Sequence, residues 1–485
     1  MFEFDKYQKI LTVLFYATAL FFLFNFKFEG SFEYIISEIA FVGYCLYILT
    51  ILRSGIFKYI YEPPVFFLLF SFIYEVLKFP YYFKYSSVQS IVSAAGLGRP
   101  KFQIADYYGN SALLLLYQII CITILMYVYQ LIKNKQAKTG VTRDATRQVY
   151  ITKENKITFI CVLFLLGGAI GLYSVTGGNL LFLLTRRAGN EEAGKILKDN
   201  AMISFSAAFV LIIIPIIIGF KSISNKSWKH LLIIYIPAMV LAYIVSGGRG
   251  PIIYSIASVF IILSAKKDFS FSIIKLTVIS GSVIILFSFL GLIRRSFTDT
   301  SNILENIRSR TEVEDQWYYE LSGYQLQFRD EMVFANADRA GFLLGNSYLN
   351  LVFFLVPRSV MGESKPPFID FQVCTKFWGR DDIGLPLNAM GEAYFNFGYF
   401  GILVFVLLGF IMAKITLWLS NSSSTVIKYV GVVLLFYAET WCTTYLVYAL
   451  LSCIVLSLAL RFVKEDFLAD SDTIPEIHPY GHAIV

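Results

Sequence analysis

Residues 384–419 read GLPLNAMGEAYFNFGYFGILVFVLLGFIMAKITLWL. Their second part, 398–419, holds a single charge, Lys414, in a run of apolar residues long enough to cross a bilayer core. Lipid offers no partners to backbone N–H and C=O groups, so such a run spans as helix. The first part places Glu392 beside Tyr394, Phe395 and Phe397. A carboxylate is costly at that depth unless it faces a cavity or a partner.

Working outward, similar runs recur at 10–26, 34–52, 64–79, 111–132, 157–175, 201–220, 230–247, 250–264, 272–293, 426–441 and 444–462. The last two are separated only by Glu439 and a Trp-Cys-Thr-Thr run, and also read as one bent helix. The chain of 485 residues is 57% hydrophobic and only 15% charged, which excludes an ordinary soluble domain. The fold class is therefore all-α: a polytopic integral membrane protein of about twelve transmembrane helices. Its divisions are helices 1–9 over 1–293, a large loop over 294–397, C-terminal helices over 398–463 and a tail over 464–485. The first run lacks a small-residue cleavage site and reads as a retained span.

Charge orients the chain. The link 133–156 holds seven Lys/Arg against two Asp/Glu, a net +5, and is expected on the cytoplasmic side. Counting helices outward puts both termini in the cytoplasm and 80–110, 176–200 and 294–397 on the outer side. Over 294–390, ten Lys/Arg face thirteen Asp/Glu, a net −3 that does not oppose export. The overall +7 sits mostly at helix ends and does not imply nucleic acid. Five of the six cysteines fall in apolar runs, Cys374 being the exception, so no disulfide framework or metal cluster is expected. The loop is too long to lack structure. Its apolar stretch 340–356 is expected to be a helix at, or dipping into, the membrane surface.

Several cations break the positive-inside pattern. Arg186 and Arg187 follow LLFLLT, Arg249 sits in SGGRGP, Arg294 and Arg295 end the ninth run, and Arg358 and Lys365 lie in PRSVMGESKPP. A guanidinium fork suits phosphate oxygens and stays charged. Gathered around one cavity, these groups would hold a pyrophosphate; singly, each would pair with a carboxylate or snorkel to headgroups. Glu392 suits proton transfer if buried, or simple compensation of a helix N-terminus. Asp381 and Asp382 read as solvated loop rather than metal ligands, and Asp330, Glu331 and Asp338 as loop structure. The many aromatics read as lipid-facing or interfacial.

The SGGRGP turn, the NSYL…PRSVMGESKP segment and the GEAYFNFGYFG segment, in that order, resemble the oligosaccharide repeat unit polymerase (O-antigen polymerase, Wzy-type) family over roughly residues 160–420. Where many relatives carry an aromatic-Pro pair before Lys-Pro, this chain has Val-Met-Gly-Glu-Ser. The resemblance implies a metal-independent glycosyltransferase of the bacterial inner membrane without a cofactor. It would join undecaprenyl-pyrophosphate-linked oligosaccharide units at the periplasmic face. Arg249, Arg358 and Glu392 match the family's motif positions; Arg186, Arg187, Arg294 and Arg295 match by place in the layout. Arg249 and Glu392 are the expected catalytic pair, and the arginines with Lys365 the expected pyrophosphate site. A polysaccharide chain-length regulator is a further partner that the resemblance brings in. Two rivals stand beside this reading. An O-antigen ligase would carry a functional His in the outer loop, whereas His230, His478 and His482 all fall on expected cytoplasmic segments. A flippase or transporter of the same lipid would string charges through the bilayer, often within internal repeats.

Overall fold

Among the described residues, most of the long helices follow from an apolar run closed by a cap, a proline or a charge. The structure, a computed structural model, describes residues 4–26, 31–78, 101–102, 107–137, 147–151, 154–180, 182–183, 192–193, 196, 201–223, 227–246, 252, 255–256, 258–259, 329–353, 356, 358–379, 384, 387–422, 425–460 and 463–467. Helix α1 covers Gln8–Asn25 and α2 Phe32–Arg53. Ser31 starts α2 by accepting the Tyr34 N–H, the usual service of an N-cap hydroxyl. Helix α3, Pro63–Val76, opens on two prolines, which fit a first turn whose N–H groups lack helical partners. Helix α4, Tyr107–Ala137, has 31 residues. At about 1.5 Å per residue it overshoots the bilayer core and carries Lys133 beyond it. Helices α5, Glu154–Val175, α6, Ala201–Ile223, and α7, Leu232–Ser246, follow.

The loop contributes α8, Arg329–Ala340, and α9, Ile369–Trp378, with short helical turns between them at Asn346–Tyr348, Leu349–Phe353, Arg358–Met361 and Gly362–Ser364. Helix α10, Ala389–Phe397, passes through a tight turn at Gly398–Gly401 into α11, Ile402–Asn421. Helices α12, Thr425–Ala438, and α13, Thr443–Leu460, end the bundle. They pack against each other, so the four residues between them separate two helices.

Five stretches are long and apolar enough to cross a membrane: Gln8–Asn25, Phe32–Arg53, Tyr108–Lys135, Asn155–Val175 and Ala389–Asn421, with mean hydropathy from 1.4 to 2.5. Pro63–Val76, Ser206–Gly219, Lys229–Val245 and Thr443–Ser457 are shorter apolar helices. The protein is helical and membrane-embedded in character. The expected spans 250–264 and 272–293 fall almost wholly outside the described residues. One departure from an all-helical chain is an antiparallel pair of strands, β1 at Arg147–Ile151 and β2 at Val463–Phe467, running from Arg147 opposite Phe467 to Ile151 opposite Val463.

Among the described residues, the most extensive helix packing joins α4 and α11. At Gly409 a Cβ would stand 2.7 Å from the Leu125 carbonyl oxygen, so the two backbones touch there. Contacts also sort the links into two groups. Phe4 N–H bonds to Lys58 O, and Lys133 Nζ reaches Glu62 Oε2 at 2.6 Å and Ile56 O at 3.0 Å. Glu62, fully buried, also accepts the N–H groups of Lys58 and Tyr59 and the Tyr129 hydroxyl. The N-terminal end, the α2–α3 link and the end of α4 thus share one face. In the other group, Lys101 N–H bonds to Phe377 O, and Lys101 Nζ bonds to Thr375 O at 3.1 Å, joining the α3–α4 link to α9 of the large loop.

Candidate functional site

The stretch 340–356 is not one helix. It breaks after Ala340 and resumes in the turns at Asn346–Tyr348 and Leu349–Phe353. The cause is tertiary. Leu343 N–H bonds to Phe395 O, Leu344 N–H to Asn396 O, and Gly345 N–H to Asn396 Oδ1, so the backbone is drawn onto the end of α10. Leu344 takes φ 48° there, left-handed for a branched side chain. Ser347 then lies under α10. Its hydroxyl donates to Glu392 Oε1 at 2.5 Å and accepts from Asn396 Nδ2 at 2.8 Å.

Glu392 is almost fully buried, at 1% exposure. Besides Ser347, Thr443 Oγ1 donates to its Oε1 at 2.6 Å and Thr443 N–H to its Oε2 at 2.7 Å. One carboxylate thereby holds the loop turn, α10 and the first residue of α13. The connection it grips is unusual. Glu439 at φ 36° and Trp441 at φ 58° are non-glycine residues in left-handed backbone. Such conformations cost energy and persist where surroundings enforce them. Thr440 O accepts the Ala389 N–H at the start of α10, so this irregular segment is covered by protein rather than lipid.

Next to this knot lies a cavity of about 20 Å³, room for a water or two. Its wall comes from Tyr74, Glu75 and Lys78 at the end of α3, Arg329 and Asp330 at the start of α8, Leu387 and Asn388 before α10, and Thr440 and Tyr445 around the α12–α13 break. Lys78 Nζ bonds to Glu75 Oε1 at 3.1 Å and Glu331 Oε1 at 2.7 Å, all three buried. Tyr74 donates its hydroxyl to Glu439. Asn388 Nδ2 donates to Asp330 Oδ2 at 3.0 Å while its own Oδ1 caps α10 through the Gly391 N–H. Asp330 lies so close over this helix start that a Cβ on Gly391 would meet its Oδ1 at 2.2 Å.

Among the described residues, Arg329 Nε and Nη1, Asp330 Oδ1, Glu75 Oε2 and Glu331 Oε2 are buried without a hydrogen-bond partner. Such groups are costly, and in native proteins are usually met by water or ligand. Burial pushes the Asp330 carboxyl up to about 6, with Lys78 pulling it down, Glu331 pushing it up and Arg329 pulling it down. Burial likewise lowers the Arg329 guanidinium, opposed first by Asp330. On α9, burial raises Asp370 to about 6, against the Phe371 N–H and the Thr444 hydroxyl.

Of the residues singled out in the sequence, Glu392 is thus at the centre of the knot, but it is not part of the cavity wall. Lys365 Nζ donates to Val356 O at 2.6 Å, pinning the segment before Pro366 and Pro367. Arg358 opens the short helix Arg358–Met361. Arg186, Arg187, Arg249, Arg294 and Arg295 lie outside the described residues, as do Asp381 and Asp382. Asp330, Glu331 and Asp338 are not loop residues: all three are in α8, with Asp330 and Glu331 buried. Arg329, Glu75 and Lys78 were not singled out. The Glu-x-x-Lys at the end of an apolar run was the available signal. No family model, curated protein or solved structure matches this chain.

Proposed function

We propose that the chain is a polytopic membrane glycosyltransferase that polymerises undecaprenyl-pyrophosphate-linked oligosaccharide units at the outer face of a bacterial inner membrane. About twelve spans carry it, with both termini cytoplasmic. Arg186, Arg187, Arg249, Arg294, Arg295 and Arg358, with Lys365, hold the lipid pyrophosphate, and their fixed charge stabilises it as it leaves. No divalent ion is needed for that role. Glu392 is a positioning residue, since three donors already occupy its carboxylate.

One observation carries this reading. Two of the three segments that bear the resemblance, NSYL and GEAYFNFGYFG, lie more than forty residues apart, yet they meet through Ser347, Glu392 and Asn396. A shared motif would be kept together for such a junction. The two-group sorting of the links also supports the orientation that the reading needs.

The test is direct. Purified protein incubated with synthetic lipid-pyrophosphate repeat units should yield a ladder of polymer lengths, undiminished by a chelator. Absence of any ladder would overturn the proposal. Transfer of one finished chain to a lipid core would mark a ligase, and movement of the lipid between leaflets without new bonds a transporter.

A further inference from the structure

The cavity beside α8 is small, partly open and mixed in its demands. The guanidinium of Arg329, 2% exposed, presents two nitrogen donors without partners; Asp330, 7% exposed, presents an oxygen acceptor without one. A single group that accepts from one and donates to the other, and fits about 20 Å³, is a water or a hydroxyl that displaces it. Charge excludes the alternatives. In the wall Glu75 and Asp330 balance Lys78 and Arg329, and Glu331 holds Lys78 from outside it, so a phosphate would find neither net positive charge nor room in about 20 Å³. A bare cation would compete with the Lys78 ammonium, which already bridges Glu75 and Glu331.

Resting on the polymerase reading, we infer that this cavity receives the acceptor sugar hydroxyl of the incoming repeat unit, with Arg329 holding its oxygen and Asp330 taking its proton. The pyrophosphate lies outside the cavity, across the anomeric carbon that the hydroxyl attacks. The hydroxyl oxygen forms a bond to the anomeric carbon of the growing chain as the bond from that carbon to pyrophosphate oxygen breaks. The bond's electron pair leaves with the lipid pyrophosphate. The hydroxyl proton passes to Asp330 Oδ1 and afterwards to water.

The surroundings suit that task. Asp330 is fixed through Oδ2 by Asn388 Nδ2, and its free Oδ1 lies over Gly391, where only a glycine leaves it room. The half-buried members of the wall are Tyr74, Asn388 and Tyr445. The groups that bear on its proton are Glu331 and Arg329 on α8 itself, and Lys78, Glu75 and Tyr74 from α3. Cys442 and Tyr445 from the α12–α13 side and Asp370 from α9 bear on Arg329, and Glu439 bears on Tyr445.

The experiment compares wild type, Asp330→Asn, Asp330→Glu and Arg329→Lys on synthetic repeat units, with donor binding measured separately. Asp330→Asn should slow turnover by about 10²–10⁴-fold, the range for a positioned acid–base group, with donor affinity unchanged. Asp330→Glu should recover part of that loss. Arg329→Lys should raise the acceptor KM by about tenfold, one hydrogen bond's worth, with a smaller change in turnover. Should Asp330→Asn fail to fold, the wild-type profile decides: kcat/KM for acceptor should rise with pH through about 6 as the base loses its proton. A folded Asp330→Asn of near-normal turnover, as for a cavity holding only water, or a flat wild-type profile, would overturn the inference while leaving the polymerase reading intact. No ladder from wild type would overturn both.

Discussion

The Glu392 carboxylate meets two kinds of donor, and they respond differently to substitution. The hydroxyls of Ser347 and Thr443 can turn round; the Thr443 N–H cannot. In Glu392→Gln the amide oxygen can take the backbone N–H while its NH₂ donates to both hydroxyls. That variant should fold normally and keep turnover within about tenfold, because no proton transfer is lost. If turnover fell by about 10²–10⁴-fold at full thermal stability, Glu392 would be the base and Asp330 would not. Glu392→Leu leaves the Thr443 N–H buried and unmet, at a cost of about 1–3 kcal/mol, read as a lower melting temperature in detergent.

At the scale of elements, the α4–α11 crossing sets the centre of the bundle. Gly409→Ala must push these helices apart, since its new carbon would press on the Leu125 carbonyl rather than on a flexible side chain. A loss of about 1–3 kcal/mol is expected, measurable by thermal unfolding in detergent; unchanged stability would mean that the crossing is looser. Apolar run length made most of these helices legible. The break at Leu344 was not legible, because a run that reads as helix is overridden by bonds to Phe395 and Asn396, some fifty residues away. Helix α8 was missed for the opposite reason. RDEMVFANADRA is polar in composition, and what buries its Arg329, Asp330 and Glu331 is a set of partners from α3, α10 and α13 that no local pattern reveals. Glu392 was legible as an odd charge before an apolar run; its partner Thr443 was not.

For the whole molecule, the two groups of links predict an accessibility pattern. Ser54 lies with the α2–α3 link, and Ser364 in the large loop; both are exposed. On a cysteine-free background, a membrane-impermeant maleimide applied to intact cells should label Ser364→Cys and spare Ser54→Cys until the membrane is opened. The reverse pattern would invert the protein and put the cavity on the cytoplasmic side. The strand pair β1–β2 fits the predicted sense, since it ties the net-positive link to the segment after α13 on one face.

The Lys78–Glu331 bond also sets a clock. Its partners are 253 residues apart in the chain. At about 5–20 residues per second, α3 is made roughly 13–50 s before Glu331 exists. Through that interval a lysine that ends up buried would sit at the edge of a short apolar helix with no counter-charge, were it not for Glu75. The carboxylate one turn earlier, 3.1 Å away, is present from the moment α3 forms. Glu75 is thus placed to pair with Lys78 at the end of α3 during synthesis and to share it once α8 arrives. Loss of Glu75 should therefore show first in newborn protein, as slower maturation and earlier degradation, before any defect appears in molecules that have finished folding.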